Sequence, residues 1–104
     1  MMKLWIDDVR QPPSNDWIWC TTTNEAMLAI HYYAHHITDH TIIIDLDHDA
    51  GDYVQFGGDY IEILNWLEEQ GCVDTGYFFH IHSMNPVGVQ NMRNIIKRNG
   101  WKEL

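Results

Sequence analysis

The chain has 104 residues, 45% of them hydrophobic, with 15 acidic against 6 basic side chains and a formal net charge of −9. That length suits one small domain around one core, and that hydrophobic content argues for folding over disorder. The acidity argues against a broad duplex-binding surface, which needs basic groups to displace phosphate counterions, and no apolar run approaches the ~20 residues that span a bilayer.

Lys3-Leu4-Trp5-Ile6 reads as a short strand with Asp7-Asp8 at its carboxyl end. Met1-Met2-Lys3 leads into it without a cleavage-like segment, so no signal peptide and a cytoplasmic location are expected. Val9 to Asp16, with Pro12-Pro13 and Ser14-Asn15, has loop composition. Trp17-Ile18-Trp19-Cys20 reads as a second strand. A parallel crossover normally takes a dozen or more residues and a helix, so a parallel pairing across this loop would be unusual. Cys20 and Cys72 lie far apart without a paired motif and read as reduced thiols.

Thr22 to about His36 reads as a helix: Thr22 and Glu25 fit a capping box, and Ala26, Ala29, Ile30, Tyr33 and Ala34 recur at helical spacing. His31, His35, His36 and His40 gather near its end, where cations are mildly favourable, and receive no function. Thr41 to Asp47 is the central strand, a β-branched run ending in Asp45-Leu46-Asp47-His48-Asp49. A continuous apolar run of this kind reads as a fully buried strand of a parallel sheet. Ala50 to Gly58 is a Gly- and Asp-rich loop, with Tyr53 and Phe56 placed to cover a ligand. Asp59 reads as the cap of a helix running to about Gln70, with Ile61, Leu64 and Leu67 inward and Gly71 just beyond it. Thr75-Gly76 is a turn, Tyr77 to His82 the next strand, and Asn85-Pro86 the N-cap and first residue of a last helix. Val89, Met92, Ile95 and Ile96 pack that helix, and Gly100 ends it.

The expected fold is therefore α/β, one domain over residues 1–104, with about four mainly parallel strands ordered 2-1-3-4 and three helices. In such sheets ligands bind beyond the carboxyl ends of the strands. Three strand ends carry polar groups there: Asp7-Asp8, Asp47-His48-Asp49 and His80-Ile81-His82-Ser83. Side-chain alternation gives Asp45 and Asp47 a shared face, and likewise His80 and His82. Asp45 and His80, deeper in their strands, read as structural. Oxygen ligands from Asp7, Asp8 and Asp47 suit Mg2+ or Mn2+, and imidazoles from His48 or His82 would shift the preference towards Mn2+, Fe2+ or Zn2+. A helix starting at Asn85 on the same edge would aim free N–H groups at a phosphate. Cation ligands beside an anion site suggest phosphoester chemistry.

An acid pair after strand one, an Asp ending strand three and a hydroxyl residue ending strand four resemble the receiver domains of two-component signalling. The resemblance implies a flavodoxin-like three-layer sandwich, Asp7 and Asp8 as metal-binding acids, Asp47 as phosphoacceptor and Ser83 as the hydroxyl residue. The helix between strands one and two and the fifth strand with its lysine look absent, which sets the chain apart from signalling receivers. It is more similar to the cyclic-phosphate processing receiver domains, through Leu4-Trp5-Ile6-Asp7-Asp8-Val9-Arg10, Pro12-Pro13, Trp17-Ile18-Trp19, Glu25-Ala26, Asp47-His48-Asp49 and His82-Ser83-Met84-Asn85-Pro86-Val87-Gly88.

That resemblance implies action on a 2′,3′-cyclic phosphate RNA end or a cyclic nucleotide. The leading expectation is a metal-dependent hydrolase. Asp7, Asp8 and Asp47 would hold the cation, with Asp49 completing the shell or orienting His48. Ser83, the N–H groups at Asn85 to Val87 and Arg10 would bind the phosphate. His48 or His82 would protonate the leaving oxygen, since imidazole titrates near neutral pH. Asp47 could instead attack directly. The alternative is a non-catalytic receiver-like module that binds a metal or nucleotide and relays that state to a protein partner. A degraded receiver making only protein contacts, and an aspartate-nucleophile phosphatase built on Asp45-Leu46-Asp47, rank below these.

Overall fold

The computed structural model describes residues 1–36, 41–71 and 76–104. The elements run β1 (Met2–Ile6), β2 (Ile18–Cys20), α1 (Thr23–His36), β3 (Ile42–Leu46), α2 (Ile61–Glu69), β4 (Tyr77–Ile81), α3 (Pro86–Arg98) and β5 (Lys102–Glu103), with a 3-10 turn at Gly51–Tyr53. The sheet order is β2-β1-β3-β4-β5 and every neighbouring pair is parallel. The unusual parallel pairing of β1 with β2 across a helix-free loop is present, with Leu4 opposite Ile18 and Ile6 opposite Cys20.

The expectation of four strands is corrected to five. Lys102 and Glu103 pair with Phe78 and Phe79, the Leu104 N–H donates to the Phe79 carbonyl at 2.7 Å, and the Trp101 ring stacks on Phe79 at 5.2 Å. Two exposed charged residues carry no apolar signal, so only their pairing identifies them as a strand. The expected three layers are corrected to two. Each crossover from β2 onward steps the same way across the sheet, and right-handed connections then put α1, α2 and α3 on one face, where α2 packs against both other helices.

The core lies between sheet and helices. Met2, Leu4, Ile6, Ile42, Ile44, Leu46, Tyr77 and Phe79 alternate inward from the strands, and Ala26, Ile30, Ile63, Leu64, Leu67, Met92, Ile95 and Ile96 meet them. Start signals held at two helices and failed at one. Thr22 Oγ1 accepts the Glu25 N–H at 3.0 Å while Glu25 Oε1 accepts the Thr22 N–H at 3.3 Å, a reciprocal capping box. Asn85 caps α3 by accepting the Gly88 N–H at 3.0 Å, with Pro86 in the first turn. Asp59 does not cap α2: Tyr60 holds that position without a side-chain cap, and Asp59 Oδ1 accepts the Ala50 N–H instead. Cys20 is buried and its thiol is pushed up to about 12, by desolvation first and then by Glu25. Cys72, His40 and Thr75 lie outside the described residues. No described helix is long and apolar enough to cross a membrane.

Candidate metal and phosphate site

The carboxyl edge of the sheet brings Asp7, Asp8 and Asp47 together. One carboxylate oxygen from each lies within 4.8 Å of the others. Backbone bonds at the strand ends fix the frame: the Asp47 N–H donates to the Ile6 carbonyl at 2.9 Å and the His82 N–H to the Leu46 carbonyl at 3.0 Å. The three acids differ in surroundings. Asp7 is fully buried; its Oδ1 accepts the Val9 and Arg10 N–H groups, each at 2.9 Å, and its Oδ2 meets His82 Nε2 at 2.9 Å. Burial alone would raise the Asp7 carboxyl, but the two amides and the imidazole outweigh it and hold the group below the ordinary carboxylate value. Asp8 is pushed the other way, first by burial and then by the neighbouring charges of Asp7 and Asp47. Asp47 Oδ1 accepts the His48 N–H at 2.7 Å.

The donor set fits a hard divalent cation. All three groups are carboxylates, and after burial the charges of Asp7 and Asp47 add to what opposes ionisation of Asp8, which a cation would offset. Gly51 of the following loop lies directly against Asp8. A Cβ at Gly51 would lie 2.3 Å from Asp8 Oδ2, and Gly51 has φ +57, which glycine alone adopts without strain.

His82 joins this group through Asp7. Its Nδ1 meets Asp45 Oδ1 at 2.5 Å, so the ring lies between two carboxylates, and it stacks on Trp5 at 4.0 Å with 4° between planes. Burial disfavours the imidazolium, but Asp45 and Asp7 together raise His82 above its ordinary value. Asp45 has the structural role expected of it, accepting also from His80 Nδ1 at 3.0 Å. Its contact with His82 makes it an orienting group as well. Trp5 and Asp45 carry no sequence signal for this duty, because only the strand register sets Asp45 beside His80 and Trp5 beside Asp45. Tyr60 was also missed. It is fully buried, its hydroxyl donates to the Thr21 carbonyl at 2.7 Å, and burial plus the charges of Asp8, Asp7 and Asp47 raise its phenol.

His48 and Asp49 form a separate group. His48 Nδ1 meets Asp49 Oδ1 at 2.7 Å, and these two gather with Asp59, not with the acid trio. Asp49 thus lies against His48, the placement that one of its two expected roles requires. The other role, completing the trio's shell, does not match this placement, because its carboxylate points to His48 and to the Asn85 amide. The His48 ring packs over the first turn of α3, where a Cβ on Gly88 would fall 2.5 Å from its Cγ.

The α3 N-terminus is less open than expected. The Asn85 N–H donates to Ser83 Oγ at 3.1 Å, Pro86 has no N–H, and the Gly88 N–H is taken by Asn85. Ser83 is half-buried and follows His82 at the carboxyl end of β4. Arg10 is exposed, and its Nη1 reaches the His82 carbonyl at 3.3 Å, so it stands beside the site. Tyr53 and Phe56 are exposed on the loop, as expected.

The family model of the cyclic-phosphate processing receiver domain matches residues 2–98. No curated protein and no solved structure gives a match.

Proposed function

The chain belongs to the cyclic-phosphate processing receiver domain family, and from that premise we propose that it hydrolyses a cyclic phosphate, of the 2′,3′ kind found at RNA ends or in cyclic nucleotides. The observation that carries this reading is the Asp45–His82–Asp7 line running into the Asp7, Asp8, Asp47 trio. The trio would hold a divalent cation, Mg2+ or Mn2+ by its all-oxygen chemistry, with Zn2+ less suited to it. Such an ion lowers the pKa of water and offsets phosphate charge.

The chain's own residues supply the rest. Although burial disfavours it, the His82 imidazolium is favoured by Asp45 and Asp7, and His82 is assigned as a proton donor to the departing ribose oxygen. Asp45 and the Trp5 ring hold its plane. His48, held through Nδ1 by Asp49, is the second candidate for the proton, and variants of the two histidines separate the roles. Ser83 and Arg10 are assigned to the non-bridging phosphate oxygens. Asp47 keeps its second oxygen for the cation or for attack on phosphorus. Trapping of an aspartyl phosphate separates these two roles.

The test is product formation from mononucleoside 2′,3′-cyclic phosphates with Mg2+ or Mn2+, followed by chromatography. Asp47→Asn is expected to abolish turnover, and His82→Gln to slow it by ~10²–10⁴. Tight nucleotide or metal binding with no product in the wild type would refute hydrolysis and leave a module that relays its bound state to a protein partner.

A further inference from the structure

The sheet has one helical face and one open face. The β1–β2 connection alone steps towards the opposite edge, where a crossover helix would lie on the other side, and it is a loop. Among the described residues no helix covers that side. Strand register sets out what it presents. Lys3, Ile43, Phe78 and Lys102 form one row, and Trp19, Trp5, Asp45 and His80 the next. Trp17 meets Trp5 edge-on at 5.9 Å. Lys3 Nζ lies 4.7 Å from the Trp17 ring centre and Lys102 Nζ 5.4 Å from that of Phe78. Trp19 is 39% exposed.

The charge of this face runs against that of the chain. The chain carries −9, yet Lys3 and Lys102 lie on these rows and Arg10 at their end. The one acid within the rows, Asp45, is only 8% exposed and bonded to His80 and His82, while Asp16 reaches Lys3 from the loop at 4.0 Å. Away from this face, Arg93 and Arg98 are paired with Glu103 and Glu68 at 2.7 and 2.8 Å, closer than Asp16 is to Lys3. Cations set beside aromatic rings match a ligand of flat bases joined by anionic links, which is a single strand of nucleic acid. A duplex hides its base faces and needs more cationic charge. A second copy docked face to face would bring the lysine-bearing rows together. The rows also lead into the proposed active centre, because Trp5 stacks on His82.

We infer that this open sheet face binds the single-stranded RNA leading to the cyclic phosphate, with bases stacking over Trp19 and Phe78 and backbone phosphates near Lys3 and Lys102. The inference rests on the cyclic-phosphate reading for the position of the RNA end, while binding to the face is measured separately. The probe is a fluorescein-labelled single-stranded hexaribonucleotide ending in a 3′-phosphate, followed by fluorescence anisotropy at low and high salt. Wild type is expected to bind it, more weakly as salt rises. The double charge reversal Lys3→Glu with Lys102→Glu, and separately Phe78→Ala, are expected to weaken binding about tenfold or more. The charge-reversed variant is expected to keep its melting temperature and wild-type turnover of a mononucleoside 2′,3′-cyclic phosphate. No binding by wild type, or equal binding by wild type and the charge-reversed variant, overturns the inference. So does a concentration-dependent dimer that the charge reversal alters while the hexamer stays unbound. Hexamer binding lost in the variants, with no mononucleotide turnover by wild type, sustains the RNA face and overturns the hydrolase.

Discussion

Gly88→Ala is a sharp test of how the site is assembled. Gly88 lies buried in the first turn of α3, and the His48 ring occupies the space a side chain would need. A Cβ there would stand 2.5 Å from Cγ, 2.6 Å from Cδ2 and 2.9 Å from Nδ1. Cγ is the ring atom nearest the backbone, so rotating the far end of the side chain does not relieve the contact. The ring must swing away, and its 2.7 Å contact with Asp49 is then lost. Two effects compete. Replacing a helical glycine with alanine favours folding by ~0.5–1 kcal/mol. Overpacking costs ~1–3 kcal/mol. The clash outweighs the propensity, giving a net loss of about 1 kcal/mol, or ~4–8 °C in Tm for a domain near this size. In a His48→Ala background the ring is gone and the sign reverses, so Gly88→Ala becomes stabilising by ~0.5–1 kcal/mol. Thermal melts of the four proteins, followed by circular dichroism, close the cycle. A higher Tm for Gly88→Ala with His48 present would refute the packing of His48 on α3.

The remaining tests address the acids, the histidine and the buried phenol. Asp8 is raised by burial and by Asp7 and Asp47, so in the absence of a cation the folded state loses stability as pH climbs from the ordinary value of 3.8 through the raised one. Asp8→Asn is expected to raise Tm in EDTA at neutral pH and to remove any further rise on adding Mg2+; an unchanged response to Mg2+ would count against the trio as its ligands. His82 is raised despite burial, through Asp45 and Asp7, so its stabilisation is full below its ordinary value of 6.5 and is lost as pH rises through the elevated value. His82→Gln is expected to flatten the fall of Tm over that window, and a parallel fall in both proteins would contradict the ion pair. Tyr60→Phe removes the hydroxyl that donates to the Thr21 carbonyl and is expected to cost ~1 kcal/mol in urea unfolding, with a change near zero excluding that bond as a support of the α1 entry.

Much of the site was legible because its signals are local. Asp7-Asp8, Asp47 and His82-Ser83 each follow a short apolar run, and a parallel sheet sends all such ends to one edge. The Thr22/Glu25 box and the Asn85-Pro86 start were readable for the same reason, since cap and helix lie within a few residues. Asp59 had the residue type of a cap, but a donor from the preceding loop, the Ala50 N–H, claimed it. Ser83 and Asn85 were found as site residues, whereas the bond between them, which takes up the Asn85 N–H, was not.

By itself, then, the sequence determined the order of the main strands and helices, the helix starts at Thr22 and Asn85, and which strand ends carry the acids and His82. These follow from apolar period and capping chemistry, which act over one or two turns of chain. The tertiary structure alone decided that Lys102–Glu103 joins the sheet and that all three helices share one face. It alone set Asp45 and Asp7 on either side of His82 and turned His48 towards Gly88. Each of these depends on crossover handedness and strand register, which join residues as far apart as Asp7 and His82 and leave no mark in either neighbourhood.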